Sequence, residues 1–205
     1  MNTFEQALWA KDFQAVAGID EAGRGPLAGP VVAAAVVFDP WCEAPAGIND
    51  SKRLSPKIRE VLYDTIHTCA RAVGTGIVYQ QEIDRINILQ ATFKAMKSAV
   101  LQLPVEPDHL LIDGNRAPGF GQPCTTIVKG DSQSFSIAAA SIIAKVARDR
   151  MMAELDAEYP QYGFKSNKGY ATQEHINAIK MHGLTPHHRV TFCRRIVSPQ
   201  MRMFY

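Results

Sequence analysis

Acidic side chains follow three apolar runs of the sequence, each where the run ends. Asp20 and Glu21 close one run, Asp113 closes another, and Asp131 comes shortly after a third. If these runs are neighbouring strands, the four carboxylates converge. Such convergence is costly unless cations neutralise it, because like charges a few ångströms apart resist joint ionisation.

Oxygen-rich sites of this kind suit a hard divalent cation. Mg²⁺ and Mn²⁺ prefer carboxylate oxygens, water and phosphate, and the sequence has no His/Cys cluster that would favour zinc. Two such ions about 3.5–4 Å apart can activate water and stabilise a leaving oxygen in phosphodiester cleavage. The alternative for each acidic site alone is a turn, because Asp beside Gly is common in turns. The repeated position after an apolar run favours the metal site.

Short β-rich runs alternate with helical patterns along the chain, which predicts an α/β fold. The predicted strands are Val16–Asp20, Val31–Phe38, Val73–Tyr79, Leu110–Ile112 and Thr125–Val128. The first two form a hairpin-like pair around a turn-rich segment at residues 23–30.

Helices are predicted between these strands and after them. One begins at Ser55-Pro56, and its apolar stripe is Ile58, Val61, Leu62 and Ile66. The others are Ile88–Leu103, a long helix from Ser134 to Tyr159 with a buried first half, Gln173–Met181, and a short one near the C-terminus.

Composition fits one compact domain, or a domain with a short appended piece. The chain has 205 residues, of which 46% are apolar and 20% charged. Its longest strongly apolar run, residues 31–38, is far shorter than the ~20 residues that cross a bilayer, and the N-terminus lacks a secretory apolar region. Four cysteines without a C-x-x-C pair indicate neither a zinc ribbon nor a disulfide framework. We expect a cytoplasmic protein with no membrane partner, and a monomer.

Charge is distributed unevenly. The formal net charge is +2, but Lys145 to Tyr205 carries 10 basic and 5 acidic residues against 12 and 15 in the rest. This basic C-terminal part favours a polyanionic partner, and the alternative is a solvated lysine-rich face.

The run from Ala17 to Pro30, AGIDEAGRGPLAGP, resembles the type 2 ribonuclease H family, and within it ribonuclease HII. The resemblance extends over nearly the whole chain, through Asn49–Lys52, Asp113–Asn115, Lys129–Asp131, Ala138–Arg150 and Lys168–Tyr170. It implies a ribonuclease-H-like fold, with a mixed five-stranded sheet flanked by helices and a small C-terminal helical extension. Residues 1–159 would form the catalytic core, and residues 160–205 a basic substrate-binding extension packed on it.

The resemblance also implies an activity. The expected reaction is metal-dependent endonucleolytic hydrolysis of the RNA strand in RNA/DNA hybrids, and cleavage on the 5′ side of a ribonucleotide embedded in duplex DNA. By this resemblance Asp20, Glu21, Asp113 and Asp131 are the metal-binding catalytic carboxylates. We hypothesise that one ion on Asp20 and Asp113 activates the attacking water, while a second stabilises the departing 3′ oxygen. The expected products carry 5′-phosphate and 3′-hydroxyl ends.

Several residues are candidates for substrate contacts. Gly23-Arg24-Gly25 would let the backbone approach the sugar and its 2′-OH, and a Cβ on either glycine would obstruct that approach. Tyr170, by the resemblance, packs against the deoxyribose that follows the ribonucleotide. Candidates for phosphate contacts are Lys52, Arg53, Lys165 and Lys168. The alternatives are a simple chain reversal for the glycines, a half-buried aromatic for Tyr170 and solvated charges for the basic residues.

Other polar residues are given structural roles. His175, His187 and His188 are not required by a carboxylate–metal scheme, so we expect them to be structural or peripheral to the substrate. Asp149 and Arg150 are expected to form ion pairs.

The C-terminal segment Gln200–Phe204 is similar to the Gln-Leu-x-Leu-Phe peptides that dock on bacterial sliding clamps, with Met in place of Leu twice. Methionine can fill the same apolar pocket. The alternative is that this segment folds back as a hydrophobic anchor.

Three other functions are alternatives to the ribonuclease HII interpretation. Ribonuclease HIII shares the core motif but carries an extra N-terminal domain, for which the short segment before Ala17 leaves no room. A nucleic-acid-binding module without catalysis is disfavoured by four carboxylates, which repel a phosphate backbone unless metals intervene. A two-metal phosphatase or exonuclease of small substrates would not need Tyr170 or the glycine-rich approach to a sugar.

Overall fold

The computed structural model describes residues 1–197 and builds them around one sheet. Its strands are β1 (Val16–Ala22), β2 (Val31–Val37), β3 (Ala72–Val78), β4 (His109–Asp113) and β5 (Cys124–Ile127). The sheet order is β3-β2-β1-β4-β5, and β1 pairs antiparallel with β2 but parallel with β4. This mixed five-stranded sheet confirms the predicted architecture and the predicted antiparallel pairing of the first two strands.

Helices cover the sheet and continue beyond it. They are α1 (Thr3–Trp9), α2 (Pro56–Cys69), α3 (Gln80–Ile86), α4 (Ile88–Leu101), α5 (Phe135–Glu158), α6 (Phe164–Asn167), α7 (Gln173–His182) and α8 (Val190–Cys193). The predicted helices are found with ends close to those expected, and α1, α3 and α6 were not predicted. Ser55 caps α2 by accepting from the Ile58 amide, and Ser134 caps α5 in the same way.

Both faces of the sheet are buried. In β2, Ala33 and Ala35 pack on the side of α3 and α4, and Ala34 packs on the side of α5. At Gly18 in β1, a Cβ would lie 2.1 Å from the main-chain carbon of Ser136. The first turn of α5 therefore lies directly against the strand that carries Asp20 and Glu21.

The apolar stripe predicted for α2 is half wrong. Leu62 and Ile66 are buried, but Ile58 is 48% and Val61 61% exposed. The helix turns Arg59 inward in their place, and the guanidinium donates to the main-chain oxygens of residues 51 and 54. A half-buried arginine with carbonyl partners thus faces the protein where the apolar spacing had predicted Ile58 and Val61.

The chain after α5 folds back on the connection between β1 and β2. Leu27 and Ala28 of that connection pack with Met152 of α5, Phe164 and Ile179 in an apolar cluster separate from those on the two faces of the sheet. The division at residue 159 into a core and an extension stays a prediction.

Among residues 1–197, none of the helices combines the length and the apolar character that a membrane crossing requires. The candidate clamp-docking peptide Gln200–Phe204 lies outside the described residues.

Candidate active site

The predicted carboxylates meet at one edge of the sheet. Because β1 and β4 are parallel, Asp20 and Glu21 near the end of β1 lie beside Asp113, the last residue of β4. These three side chains line one pocket. Asp131 follows β5 in a 3₁₀ turn, and the preceding Gly130 amide donates a 2.7 Å hydrogen bond to Oδ1 of Asp113.

Burial makes three of these carboxylates, Asp20, Glu21 and Asp131, hard to ionise. Asp20 and Asp131 are each 5% exposed. Burial, and then the charges of Glu21 and Asp113, raise the pKa of Asp20 well above its usual value. Burial also raises the pKa of Glu21, against the opposing effect of Arg24, and that of Asp131. The site therefore holds more negative charge than it can stabilise alone, which favours cation binding.

Lys52 supplies a positive charge beside the acidic groups. Its Nζ lies 3.5 Å from Oδ2 of Asp131. Burial lowers the pKa of Lys52, but the charges of Asp131 and Asp20 outweigh this effect and raise it. Asp50 accepts a 2.9 Å hydrogen bond from the Lys52 amide, and this bond fixes the turn that presents the ammonium group.

The donor set fits magnesium or manganese. Within residues 1–197, no three Asp, Glu, His or Cys side chains are already close enough to enclose a metal ion. Mg²⁺ suits an open row of carboxylates, because it usually keeps several waters and binds through one or two carboxylates together with substrate phosphates. Among the described residues, those that line the pocket include no cysteine or histidine, so the ligands available are hard oxygens.

The two glycines of Gly23-Arg24-Gly25 differ in their surroundings. Gly23 has φ +94°, and a Cβ there would lie 2.0 Å from Nε of Arg148. At Gly25 the nearest atom to a Cβ is Cε1 of Tyr170, at an ordinary contact distance of 3.7 Å. The missing Cβ of Gly23 therefore serves packing inside the protein, whereas the Gly25 backbone borders open space opposite Tyr170.

Two buried arginines, which the sequence analysis missed, hold this loop. Arg148 of α5 is 1% exposed and donates to the carbonyl oxygens of Ala28, Pro30 and Lys168 at 2.9 to 3.1 Å. It follows the apolar first half of the predicted helix and stands beside Asp149 and Arg150, so no local signal marked it as buried.

Arg189 is fully buried and donates to Gly23, Arg24 and Gly29 at 2.6, 2.9 and 3.0 Å. Burial, and then the charge of Arg148, lower the pKa of Arg189 to about 9. Because carbonyl oxygens surround both guanidinium groups, the arginines fix the course of the main chain from Gly23 to Pro30.

The remaining predicted substrate residues lie in two places. Tyr170 is 45% exposed and lines the carboxylate pocket, as do Arg24 and Lys52. Lys168 and Lys165 line a neighbouring groove instead, between α2 and α5. The carbonyl of Lys168 is held by Arg148, so the residue is a fixed part of the wall of that groove. Arg53 is exposed in the turn that carries Lys52.

Asp149 and Arg150 do not line the carboxylate pocket, and neither do the histidines considered above. Asp149 pairs with Lys145 at 2.7 Å and Arg150 pairs with Glu60, which confirms the ion-pairing prediction. His175 and His188 are buried together in the C-terminal segment.

Comparison with known proteins gives consistent matches. A family model described as Ribonuclease HII matches residues 17–195. A ribonuclease HII of Geobacter metallireducens is 56% identical over 190 residues, which cover 93% of this chain and 89% of the relative. The ribonuclease H2 of Pyrococcus horikoshii OT3 superposes with a TM-score of 0.74 at 29% identity, covering 92% of this chain and 99% of that chain. The RNase HII of Archaeoglobus fulgidus, solved in complex with PCNA, gives a TM-score of 0.71 at 26% identity, over 85% of this chain and 93% of that chain.

Proposed function

Because the chain belongs to the ribonuclease HII family, it is a metal-dependent endoribonuclease that hydrolyses RNA in RNA/DNA hybrids. We propose that it also cuts duplex DNA on the 5′ side of an embedded ribonucleotide. One observation carries this proposal: Tyr170 faces the open side of Gly25 at the rim of the carboxylate pocket. A ring and a bare stretch of backbone thus flank the position where a sugar adjoining the scissile phosphate would lie.

Asp20, Glu21, Asp113 and Asp131 are the proposed catalytic and metal-binding residues. Mg²⁺ or Mn²⁺ ions held there, as a pair, would lower the pKa of an attacking water and stabilise charge on the departing 3′ oxygen. The Gly130 amide holds one oxygen of Asp113 in place, and Lys52 offsets part of the negative charge. The expected products carry 5′-phosphate and 3′-hydroxyl ends.

Recognition of the ribonucleotide is assigned to the loop and the tyrosine. Gly25 leaves space for a ribose to reach the main chain, where the 2′-OH distinguishes RNA from DNA. Arg189 and Arg148 hold that main chain before substrate arrives, so little order has to be created on binding. Tyr170 would pack against the deoxyribose that follows.

Phosphate contacts are assigned to basic residues on both sides of the pocket. Lys52 lies in the pocket itself, and Lys168 lies in the adjoining groove with Lys165. In this proposal residues 160–205 form a substrate-binding extension of the core at residues 1–159, and the enzyme acts on hybrids and ribonucleotide-containing duplexes as a monomer.

Cleavage of a labelled DNA duplex with one ribonucleotide tests the proposal, with Mg²⁺ and with EDTA, for the wild type and Asp20→Asn. Asn keeps the shape of the side chain and removes its charge. We expect metal-dependent cutting on the 5′ side of the ribonucleotide that the substitution abolishes. Activity on continuous hybrids without cutting of this duplex would discard junction recognition, and a 2′,3′-cyclic phosphate product would overturn the hydrolytic scheme.

Docking of Gln200–Phe204 on a sliding clamp is a separate part of the proposal, which the Archaeoglobus relative bound to PCNA supports. Deletion of residues 200–205 should abolish clamp binding and leave the melting temperature unchanged. Unchanged clamp binding would remove this part and favour the hydrophobic anchor.

A further inference from the structure

A chain of buried hydrogen bonds leads from Tyr170 into the C-terminal segment. The carbonyl oxygen of Tyr170 lies 2.8 Å from Nδ1 of His175, and Nε2 of His175 lies 3.0 Å from Nε2 of His188. At the far end, Nδ1 of His188 lies 2.9 Å from the amide nitrogen of Thr185. The exposed fractions of His175 and His188 are 0% and 2%.

The donors and acceptors of this chain fix the form of both imidazoles. The Thr185 amide donates to His188 Nδ1, so a neutral His188 carries its hydrogen on Nε2. That group donates to Nε2 of His175, which leaves the His175 hydrogen on Nδ1 to donate to Tyr170. With both rings neutral, all four ring nitrogens have a partner. A proton added to either ring would set two N–H groups against each other.

The surroundings of the histidines keep water out. The ring of Phe164 lies edge-on to His175, with a centroid separation of 5.4 Å, and that of Tyr162 lies edge-on to His188, at 5.1 Å. Burial lowers the pKa of both histidines, that of His188 to about 3. The pair is therefore a neutral connection at physiological pH.

The same segment also holds the glycine-rich loop. The carbonyl oxygen of His187 accepts a 2.8 Å hydrogen bond from the Gly29 amide, and the Leu27 amide donates to Gly169, the residue before Tyr170. The main chain of Tyr170 is thus bonded to His175, and the loop that contains Gly25 is bonded to His187, the residue before His188.

We infer that His175 and His188 are positioning residues that set Tyr170 against Gly25, and thereby contribute to the preference for a ribonucleotide–deoxyribonucleotide junction. This inference rests on the proposed role of Tyr170. Neither histidine lines the carboxylate pocket, so neither acts on the reacting atoms.

Two substitutions at His175 separate the hydrogen bond from the bulk of the ring. His175→Asn keeps a nitrogen near the Nδ1 position and with it a donor for the Tyr170 carbonyl, whereas His175→Phe keeps the ring and removes the donor. The readout is kcat/KM on a duplex with one ribonucleotide divided by kcat/KM on a continuous hybrid. We expect His175→Phe to lower this ratio about fivefold, the effect of one lost hydrogen bond, and His175→Asn to restore most of it. A purely structural role would lower both activities equally and leave the ratio unchanged, which would overturn the inference.

A matched control uses another histidine. His109→Phe alters a buried imidazole that bonds Thr125 in the sheet, far in the chain from Tyr170, and should leave the ratio at the wild-type value. Tyr170→Ala separates failure of the positioning role of His175 from failure of the proposed role of Tyr170. If Tyr170→Ala lowers the ratio and His175→Phe does not, the positioning role is wrong and the proposed function stands. If Tyr170→Ala leaves the ratio unchanged, junction reading by Tyr170 is itself wrong.

A measurement on the wild-type protein is independent of variant folding. Imidazole ¹⁵N resonances should show hydrogen on Nδ1 of His175 and on Nε2 of His188 at neutral pH, with the other two nitrogens bare. Hydrogen on Nε2 of His175, or a charged ring, would contradict the connection to Tyr170.

Discussion

The Gly130 amide, in the turn that follows β5, donates its hydrogen bond to the carboxylate of Asp113 at the end of the neighbouring strand β4. Asp131 is the next residue, so a main-chain group sets the separation between two of the proposed metal ligands. Gly130 is buried, and a Cβ there would lie 2.6 Å from Cδ1 of Ile137 and 3.4 Å from Oδ1 of Asp113.

Gly130→Ala should therefore reduce activity more than stability. The Ile137 methyl group can move aside, but the 3.3 Å contact with Cβ of Ile127 must give by a few tenths of an ångström, and we expect the turn to shift relative to Asp113. We expect kcat/KM on a hybrid to fall about tenfold, since misplacement of reacting groups is costly. Steady-state cleavage at saturating Mg²⁺ measures this. Gly119→Ala, where a Cβ meets open space, is the matched control and should behave as wild type.

Alanine substitutions of the two glycines that flank Arg24 should affect different properties, stability for Gly23 and cleavage for Gly25. Gly23→Ala combines a φ of +94° with contacts of 2.0 Å to Arg148, so we expect a loss of about 2–4 kcal/mol in the free energy of unfolding. Gly25→Ala has room in the free protein and should leave stability within about 0.5 kcal/mol while lowering ribonucleotide cleavage. Denaturant titration and cleavage assays on both variants check the contrast. Equal loss of stability would contradict it.

The carboxylates of this site could be predicted from the sequence, but the arginines that hold the neighbouring glycine-rich loop could not. Asp20 and Asp113 were recognisable because each follows an apolar run, a local pattern that parallel strands convert into proximity. Arg189 gave no such signal, because its partners are carbonyl oxygens near Gly23, and main-chain groups leave no trace in residue types. Ile58 was assigned to the core on spacing alone, whereas the helix directs Arg59 toward main-chain oxygens and leaves Ile58 exposed.

Removing the charge of Asp20 should stabilise the metal-free protein. The pKa of the Asp20 carboxyl group is raised in the folded protein. At any pH above the pKa of the same group in the unfolded chain, ionisation is therefore easier after unfolding, and the group favours the unfolded state. In EDTA at neutral pH, Asp20→Asn should raise the free energy of unfolding by about 1 kcal/mol, or Tm by about 2–4 °C. The difference should vanish below about pH 4, where both states are protonated. Thermal melts across pH measure it, and a destabilised Asp20→Asn at neutral pH would contradict the burial argument.

Acid should weaken metal binding over an unusually high pH range. Protons compete with the cation for Asp20, Glu21 and Asp131, whose pKa values are all raised. The Mg²⁺ concentration for half-maximal activity should therefore increase as pH falls, by up to about tenfold per pH unit for each proton displaced. Lys52→Met should extend this effect to higher pH, because Lys52 lowers the pKa of Asp20 and Asp131. A Mg²⁺ requirement independent of pH between 5.5 and 8 would refute the competition.

Arg189→Met should disorder the glycine-rich loop. Methionine fills part of the volume but leaves the carbonyl oxygens of Gly23, Arg24 and Gly29 without these donors. We expect a loss of about 3–5 kcal/mol, which is typical of breaking a buried polar network. Urea unfolding measures the loss, with Arg195→Met at an exposed arginine of the same segment as the comparison. A variant as stable as wild type would show that the loop holds its course without the guanidinium.

The bonds from Arg189 to the loop span 160 and 166 positions of the chain. During synthesis the ribosome releases Asp20, Glu21 and the glycines long before it releases their support. A nascent chain that ends before Arg189 still lacks the guanidinium that fixes the loop beside the acidic site. Catalytic competence should thus arise late in translation, only after the chain through Arg189 has emerged.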